Sequence, residues 1–177
     1  DIQVLTPMRK GLLGVERLNG ILQKYLNPPL SSKAEKEHGE MVFREGDKVM
    51  QTKNNYQLEW TKKFGADRKG TGVFNGDIGI VTLIRKEGIT VEYDDGRTVN
   101  YEGTALDELT LAYCISVHKS QGSEFPVVVL VLGRISPMLL TRNLIYTAVT
   151  RAKKMVVIIG DEATLKYAIN NTYTAKR

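Results

Sequence analysis

Cysteine is almost missing from this sequence: Cys114 is the only one in 177 residues. No internal disulfide can form, and a reducing compartment fits that usage. Cys114 sits in an apolar run, where a small buried hydrophobe is the ordinary reading. His38 has no second His or Cys at ligand spacing, so it reads as a solvated loop histidine. No apolar run approaches the length of a membrane span, and no secretory signal opens the chain. No G-x-x-x-x-G-K-[ST] occurs, so no P-loop cradles a triphosphate here. No G-x-S-x-G elbow occurs either, so His118 and Ser120 do not make a serine hydrolase. Asp107-Glu108 lacks the buried apolar strand that would precede a magnesium-binding acidic pair, and it reads as surface. An initiator Met is also missing. Asp1-Ile2-Gln3-Val4-Leu5 looks like a strand already under way, which suggests an excised fragment.

What is present is globular. Hydrophobic residues make up 42% and charged residues 25%. Lys and Arg outnumber Asp and Glu by 25 to 20, a net charge of +5, which permits a polyanion partner without requiring one. The opening reads as strand, loop and helix. The helix carries an apolar stripe of Val15, Leu18, Ile21, Leu22, Tyr25 and Leu26, and Asn27-Pro28-Pro29 ends it. Residues 31–40 are polar and read as a surface loop. From 41 to about 108 helical periodicity is lost. Strands are expected at 48–52, 78–84, 89–93 and 97–101, the last two joined at Asp94-Asp95-Gly96 as the clearest hairpin. Such short strands suggest a small barrel. Residues 54–71 are polar and basic and read as an excursion. They carry Lys62 and Lys63 close to Tyr56, Trp60 and Phe64. After Leu109 the pattern returns to strands at 111–115, 127–132 and 155–159. A helical stripe runs from Leu140 to Ala152. A last helix is capped by Asp161, with Leu165, Ala168 and Ile169 facing inward. The fold class is therefore α/β: a mostly parallel sheet flanked by helices, made from 1–40 and 109–177, with a small β-barrel inserted at 41–108. Ligands of such sheets bind beyond the strands' carboxyl ends, where the segments after Leu5 and Ile115 would lie.

Three stretches could carry chemistry. Residues 116–124 (SVHKSQGSE) bring hydroxyls, amides and a Lys after a buried strand, with Gly122 allowing close backbone approach. Glu124 could accept bonds from a ribose hydroxyl. A polar connection that merely caps and turns is the plain alternative. Arg151 ends an amphipathic helix, where its fork could match a phosphate or simply complement the helix dipole. The aromatics near Lys62 and Lys63 could stack on bases or pack on the barrel.

Val117-His118-Lys119-Ser120-Gln121-Gly122-Ser123-Glu124-Phe125 resembles motif V of superfamily 1 helicases, and Leu144-Ile145-Tyr146-Thr147-Ala148-Val149-Thr150-Arg151-Ala152 resembles their motif VI. Gln3-Val4-Leu5-Thr6-Pro7-Met8 and Gly46-Asp47-Lys48-Val49-Met50-Gln51 are similar to the RecD-like branch, the exodeoxyribonuclease V alpha-chain type. The resemblance implies a second RecA-like motor domain with an inserted SH3-like subdomain. It implies ATP-dependent 5′-to-3′ DNA unwinding by a bacterial cytoplasmic parent protein of DNA repair and recombination, with ATP and Mg2+ as cofactors of that parent and none expected on the fragment. Arg151 would be an arginine finger on the γ-phosphate, and Gly122 and Glu124 would lie by the nucleotide. Ser116, His118, Lys119 and Gln121 would meet single-stranded DNA, as would Lys62 and Lys63 on the barrel. No metal ligands are implied. The implied partners are DNA, a P-loop motor domain absent from this sequence, and other exonuclease-complex subunits. Without that P-loop domain the fragment is expected to be inactive. A non-enzymatic nucleic-acid-binding module and a retired domain kept as an interaction scaffold stand as alternatives.

Overall fold

The computed structural model describes residues 2–65, 68–133 and 138–173. In chain order the elements are β1 (Ile2–Thr6), α1 (Val15–Leu26), β2 (Glu35–His38), β3 (Met41–Arg44), β4 (Lys48–Gln51), β5 (Asn55–Lys62), β6 (Lys69–Val73) and β7 (Ile78–Ile84). There follow β8 (Gly88–Tyr93), β9 (Arg97–Glu102), a 3-10 turn (Gly103–Glu108), β10 (Leu109–Leu111), β11 (Cys114–Ser116), β12 (Phe125–Val131), α2 (Arg142–Val149), β13 (Ala152–Ile159) and α3 (Glu162–Asn170). Two compact units result: Asp1–Ile21 with Tyr113–Arg177, and Leu22–Ala112.

The first unit is built on a parallel sheet in the order β11-β1-β12-β13. β1 lies between β11 and β12, so its residues pair on both sides: Val4 with Cys114 and with Val129. One face carries Leu5, Ile115, Val128 and Leu130, all fully or almost fully buried. Each such side chain contributes about 1.5–3 kcal/mol over exposure. α2 packs on β12 and β13 and against α3. Thr141 caps α2, accepting from Leu144 N at 3.3 Å. Asp161 caps α3 as its sequence position suggests, accepting from Thr164 N at 2.7 Å. Ala168 is buried, but Ile169 points outward, against expectation; the buried partner position is Thr164.

Two strand expectations change here. The apolar run 111–115 is divided between β10 and β11, which belong to different sheets. β13 reads as a buried strand from its apolar sequence, yet most of it is exposed. It is an edge strand, and one of its faces has no layer on it among the described residues.

α1 forms where its helical periodicity places it, but the stripe that is buried is not the apolar one. Asn19, Gln23 and Asn27, at i, i+4 and i+8, are buried, whereas Ile21, Tyr25 and Leu26 are exposed. In the first unit Asn19 grips β11: its Nδ2 donates to Cys114 O at 2.9 Å and its Oδ1 accepts from Cys114 N at 2.8 Å. In the second unit Asp47 is the hub. Gln23 Nε2 (2.6 Å), Asn27 Nδ2 (2.7 Å) and Arg44 N (2.7 Å) all donate to its carboxylate. Buried amides are tolerated because each has its own acceptor.

The second unit is a seven-stranded antiparallel sheet, β10-β4-β7-β8-β9-β5-β6, with a separate β2-β3 hairpin. β7 and the Asp94–Gly96 hairpin fall where alternation predicts them, and Val91, Tyr93, Val99 and Tyr101 are its buried positions. Tyr93, Tyr101, Gln51, Glu108 and Asn55 form a hydrogen-bonded chain, with Tyr101 Oη donating to Gln51 at 2.7 Å and Gln51 Nε2 to Glu108 at 2.8 Å. The polar stretches 31–40 and 54–71 are not plain loops. Residues 35–38 form β2, and β5 and β6 pair across the second stretch. Residues 66 and 67 of the expected excursion lie outside the described residues. The β2-β3 and β5-β6 ladders are held by backbone bonds, which need no apolar sequence. Gly70 faces Trp60 because a Cβ there would lie 2.4 Å from the indole ring.

Candidate functional site

The connection 116–124 crosses the sheet from one edge to the other. It leaves β11 at the carboxyl edge, where Val117 N donates to Thr6 O at 3.1 Å. It enters β12 at the amino edge, where Phe125 N donates to Arg151 O at 2.8 Å. Turn bonds wind the segment: Ser120 N reaches Ser116 O at 3.1 Å, Ser123 N reaches Ser120 O at 3.0 Å, and Lys119 N reaches Ser116 Oγ at 3.3 Å. Gly122 takes φ +86°, a conformation L side chains rarely adopt. Ser120 is fully buried and its hydroxyl donates to Val117 O at 2.7 Å, so it braces the turn rather than facing a substrate.

This path separates the candidate residues into two groups. Ser116 and His118 lie toward the carboxyl edge, as the sheet rule anticipates. Glu124 and Arg151 lie at the opposite, amino edge, which that rule does not anticipate. The reason is the crossover itself: returning to a parallel strand carries the chain back across the sheet.

At the amino edge the two motif-like stretches meet. Arg151 Nη1 donates to Ser123 O at 3.2 Å, Nε to Thr147 O at 3.1 Å, and Nη2 to Thr150 Oγ1 at 3.2 Å. All three acceptors are neutral, and three of the guanidinium's five donors are used. Glu124 is exposed and pairs with Lys153 at 3.1 Å, a partner sequence reading did not name. A half-exposed guanidinium held by neutral oxygens is equipped to meet an anion, because charge-assisted bonds are the stronger ones.

Toward the carboxyl edge, His118 and Gln121 line a cleft of about 300 Å³ with Val117, Asn143, Thr147 and Tyr173. Neither the imidazole nor the Gln121 amide has a hydrogen-bond partner among the described residues. Tyr173 was missed by sequence reading, and Asn143 and Thr147, which belong to the candidate stretch 143–154, were given no role of their own there. The signal available was the polar spacing of 143 and 147, four apart and off the apolar face of Leu144, Ile145 and Ala148. Lys119 is exposed beside the cleft-lining residues.

Lys62 and Lys63 belong to the other unit, at the end of β5. Lys62 lies 5.5 Å over the Trp60 ring and 4.0 Å from Asp95; Lys63 lies 3.9 Å from Glu92. Tyr56 and Phe64 nearby in sequence are exposed, and Tyr56 meets Phe74 edge-on. Burial alone would raise the Asp95 carboxyl, but the Arg97 hydrogen bonds and the Arg97 and Lys62 charges outweigh it and hold it below the usual range. His38 is not a free loop histidine: its Nε2 lies 2.7 Å from Asp107. Glu108 is a structural acceptor for Gln51 and Asn55. Among the described residues no group of three or more His, Cys, Asp or Glu could hold a metal ion. No helix among them is long and apolar enough to cross a membrane.

Comparison with known proteins follows the two-unit division. Residues 18–93 match the ATP-dependent RecD-like DNA helicase SH3 domain, and residues 111–159 match the UvrD-like helicase C-terminal domain. The chain is 40% identical over 94% of its length to the ATP-dependent RecD2 DNA helicase of Deinococcus radiodurans, of which it covers 21%. It is 31% identical over 94% of its length to the RecBCD enzyme subunit RecD of Mycolicibacterium smegmatis, of which it covers 26%. It thus spans about a fifth to a quarter of these relatives. A crystal structure of Pif1 helicase from Bacteroides in complex with ADP-AlF3 and ssDNA shares the fold, with a TM-score of 0.63, 22% identity, and coverage of 96% of this chain and 43% of that one.

Proposed function

We propose, for a chain that carries the SH3 domain of RecD-like helicases and a UvrD-like helicase C-terminal domain, that it forms one wall of an ATP-dependent DNA-unwinding motor of 5′-to-3′ polarity. The chain supplies a charge-stabilising arginine and strand contacts; the phosphate cradle and the magnesium ligands come from elsewhere in a longer polypeptide. The observation that carries this reading is the bond from Arg151 Nη1 to Ser123 O, which joins the end of α2 to the end of the crossover.

In this reading Arg151 gives up neutral acceptors for a γ-phosphate oxygen and stabilises charge on the transferred group. Gly122 lets the backbone approach the nucleotide, and Glu124, once it exchanges Lys153 for a hydroxyl, accepts from the ribose. Ser116, His118, Lys119 and Gln121 meet the single strand toward the other end of the same connection, 116–124. The cleft beside His118 and Gln121 has the polar edges and the size to take a base. A strand pulled at one end of the crossover shifts the residues at the other, which couples DNA to hydrolysis. ATP suits Arg151. Magnesium finds no ligand set among the described residues, so none of its chemistry is assigned to them. Lys62 and Lys63 add phosphate contacts on the SH3 domain.

The test is Arg151→Ala in the full-length polypeptide. DNA-stimulated ATP turnover should collapse while single-strand affinity stays within about twofold, because Arg151 does not itself line the cleft that takes the base. Unchanged turnover rejects the finger role and favours a nucleic-acid-binding module or scaffold.

A further inference from the structure

We propose that a base seated in the cleft beside His118 and Gln121 wedges α2 away from the connection 116–124 and frees the Arg151 guanidinium, with Thr147 as the positioning residue that links the two places. The inference rests on the reading that this chain meets a single strand and carries the motor's arginine.

The cleft is a gap between two segments. Val117, His118 and Gln121 come from the connection; Asn143, Leu144 and Thr147 come from α2. Hydrogen-bonding side chains converge on it from both walls. The Asn143 amide, like His118 and Gln121, has no hydrogen-bond partner among the described residues. Such groups, set beside the apolar Val117 and Leu144, suit a flat ring with polar edges. A volume of about 300 Å³ lies at the small end for ligand sites, so one ring system fits rather than a run of nucleotides.

The same two segments meet again at Arg151. There the Phe125 N–H donates to Arg151 O at 2.8 Å, a backbone pairing that serves as the pivot. The guanidinium straddles the gap. Nε and Nη2 donate to Thr147 O and Thr150 Oγ1, on α2 and its C-cap, whereas Nη1 donates to Ser123 O, on the connection. Thr147 is thus present at both places: its side chain lines the cleft and its carbonyl holds Arg151. Asn143, Thr147 and Arg151 follow one another at four-residue intervals, and the cap Thr150 keeps a helical backbone. The face that meets the base therefore runs on to the guanidinium as one rod. Spreading the walls loads the Nη1 bond and the pivot; the other two guanidinium bonds move with α2. The Nη1 bond gives first, since 3.2 Å is at the long end of the N–H···O range and 2.8 Å at the short end. The guanidinium stays on α2 with one more donor free for a phosphate oxygen. Water replaces Ser123 O at once, so the step costs little and base affinity is hardly reduced.

The experiment reads Arg151 directly. The full-length polypeptide is treated, without nucleotide, with phenylglyoxal, which modifies free guanidinium groups, and the Arg151 peptide is followed by mass spectrometry. A saturating single strand that carries bases is compared with one of the same length built from abasic residues, which keeps the phosphates. The strand with bases should raise the Arg151 rate about two- to tenfold, the range that one net hydrogen bond covers; the abasic strand should leave the rate of the strand-free polypeptide unchanged. In Thr147→Leu, which fills the cleft, the rate should no longer distinguish the two strands, whereas Thr147→Ser should distinguish them as the unsubstituted polypeptide does. Asn143→Leu, on the exposed first turn of α2, takes its place should Thr147→Leu fail to fold. Equal Arg151 rates with both strands overturn the proposal. So does a base effect that survives in the folded leucine variant or is lost in Thr147→Ser. ATP turnover of the same full-length polypeptide reports separately on the motor reading. A base-dependent Arg151 rate without turnover sinks that reading alone; turnover with an Arg151 rate blind to bases sinks this one alone.

Discussion

Replacing Asp47 with alanine removes the acceptor for three buried donors at once: the Gln23 and Asn27 amides and the Arg44 N–H. Asp47 is fully buried, so water cannot take its place. A hydrogen bond to a charged group contributes about 1.5–3 kcal/mol net. Three such bonds do not add fully, and removing the carboxylate also relieves the cost of burying it. Gln23 and Asn27 each keep a second acceptor, Val42 O at 2.8 Å and Glu45 O at 3.1 Å. The expected loss is therefore about 3–5 kcal/mol, a large share of the stability of an ordinary domain. Asp47→Asn keeps the shape and one acceptor oxygen and should cost roughly half as much. Trp60, the sole tryptophan, sits in β5 of the same unit and reports its unfolding in urea. For a slope of about 2 kcal/mol/M the alanine midpoint should fall by about 2 M with the slope unchanged. An alanine shift equivalent to less than about 0.5 kcal/mol would refute the hub, since that is the range of an unremarkable surface change. Equal shifts for alanine and asparagine would refute the graded reasoning.

Other outcomes follow from the same structure. Burial pushes the Cys114 thiol from 9.0 up to about 12, so the unfolded chain loses that proton first. The stability this neutral thiol contributes is present below pH 9 and is lost as pH rises from 9 toward 12; urea midpoints followed by circular dichroism should fall across that window, and less steeply in Cys114→Ala. A pH-independent midpoint there would contradict the burial. Reversing Lys62 and Lys63 to Glu should weaken single-strand binding and lower the salt slope by about 1.4, two phosphate contacts' worth. An unchanged slope would show that their pairing with Asp95 and Glu92 leaves no part for DNA.

Legibility in the sequence was uneven for physical reasons. β7 and the β8-β9 hairpin were readable because alternation and a Gly-bearing turn state both the face and the bend. The end of α3 was not, because an apolar Ile169 at helical spacing says nothing about whether a partner exists for it. α1 showed its periodicity but not its buried side. Asn19, Gln23 and Asn27 are buried only because Cys114, Val42, Glu45 and Asp47 receive them, and long-range partners leave no local mark. Residues 111–115 are apolar throughout, and no Gly or Pro marks the break between β10 and β11. In the candidate site the residue types were visible, but their division between two sheet edges needed the crossover.

The central claim is that this chain holds one wall of a two-walled nucleotide site. Steady-state ATP turnover by the purified 177-residue chain, with magnesium and saturating single-stranded DNA, tests it most directly, using Arg151→Ala as the matched control. No turnover above that control is expected, while the full-length polypeptide should turn over and lose about a thousandfold or more with the same substitution. Metal-dependent turnover by the 177-residue chain that disappears in Arg151→Ala would contradict it.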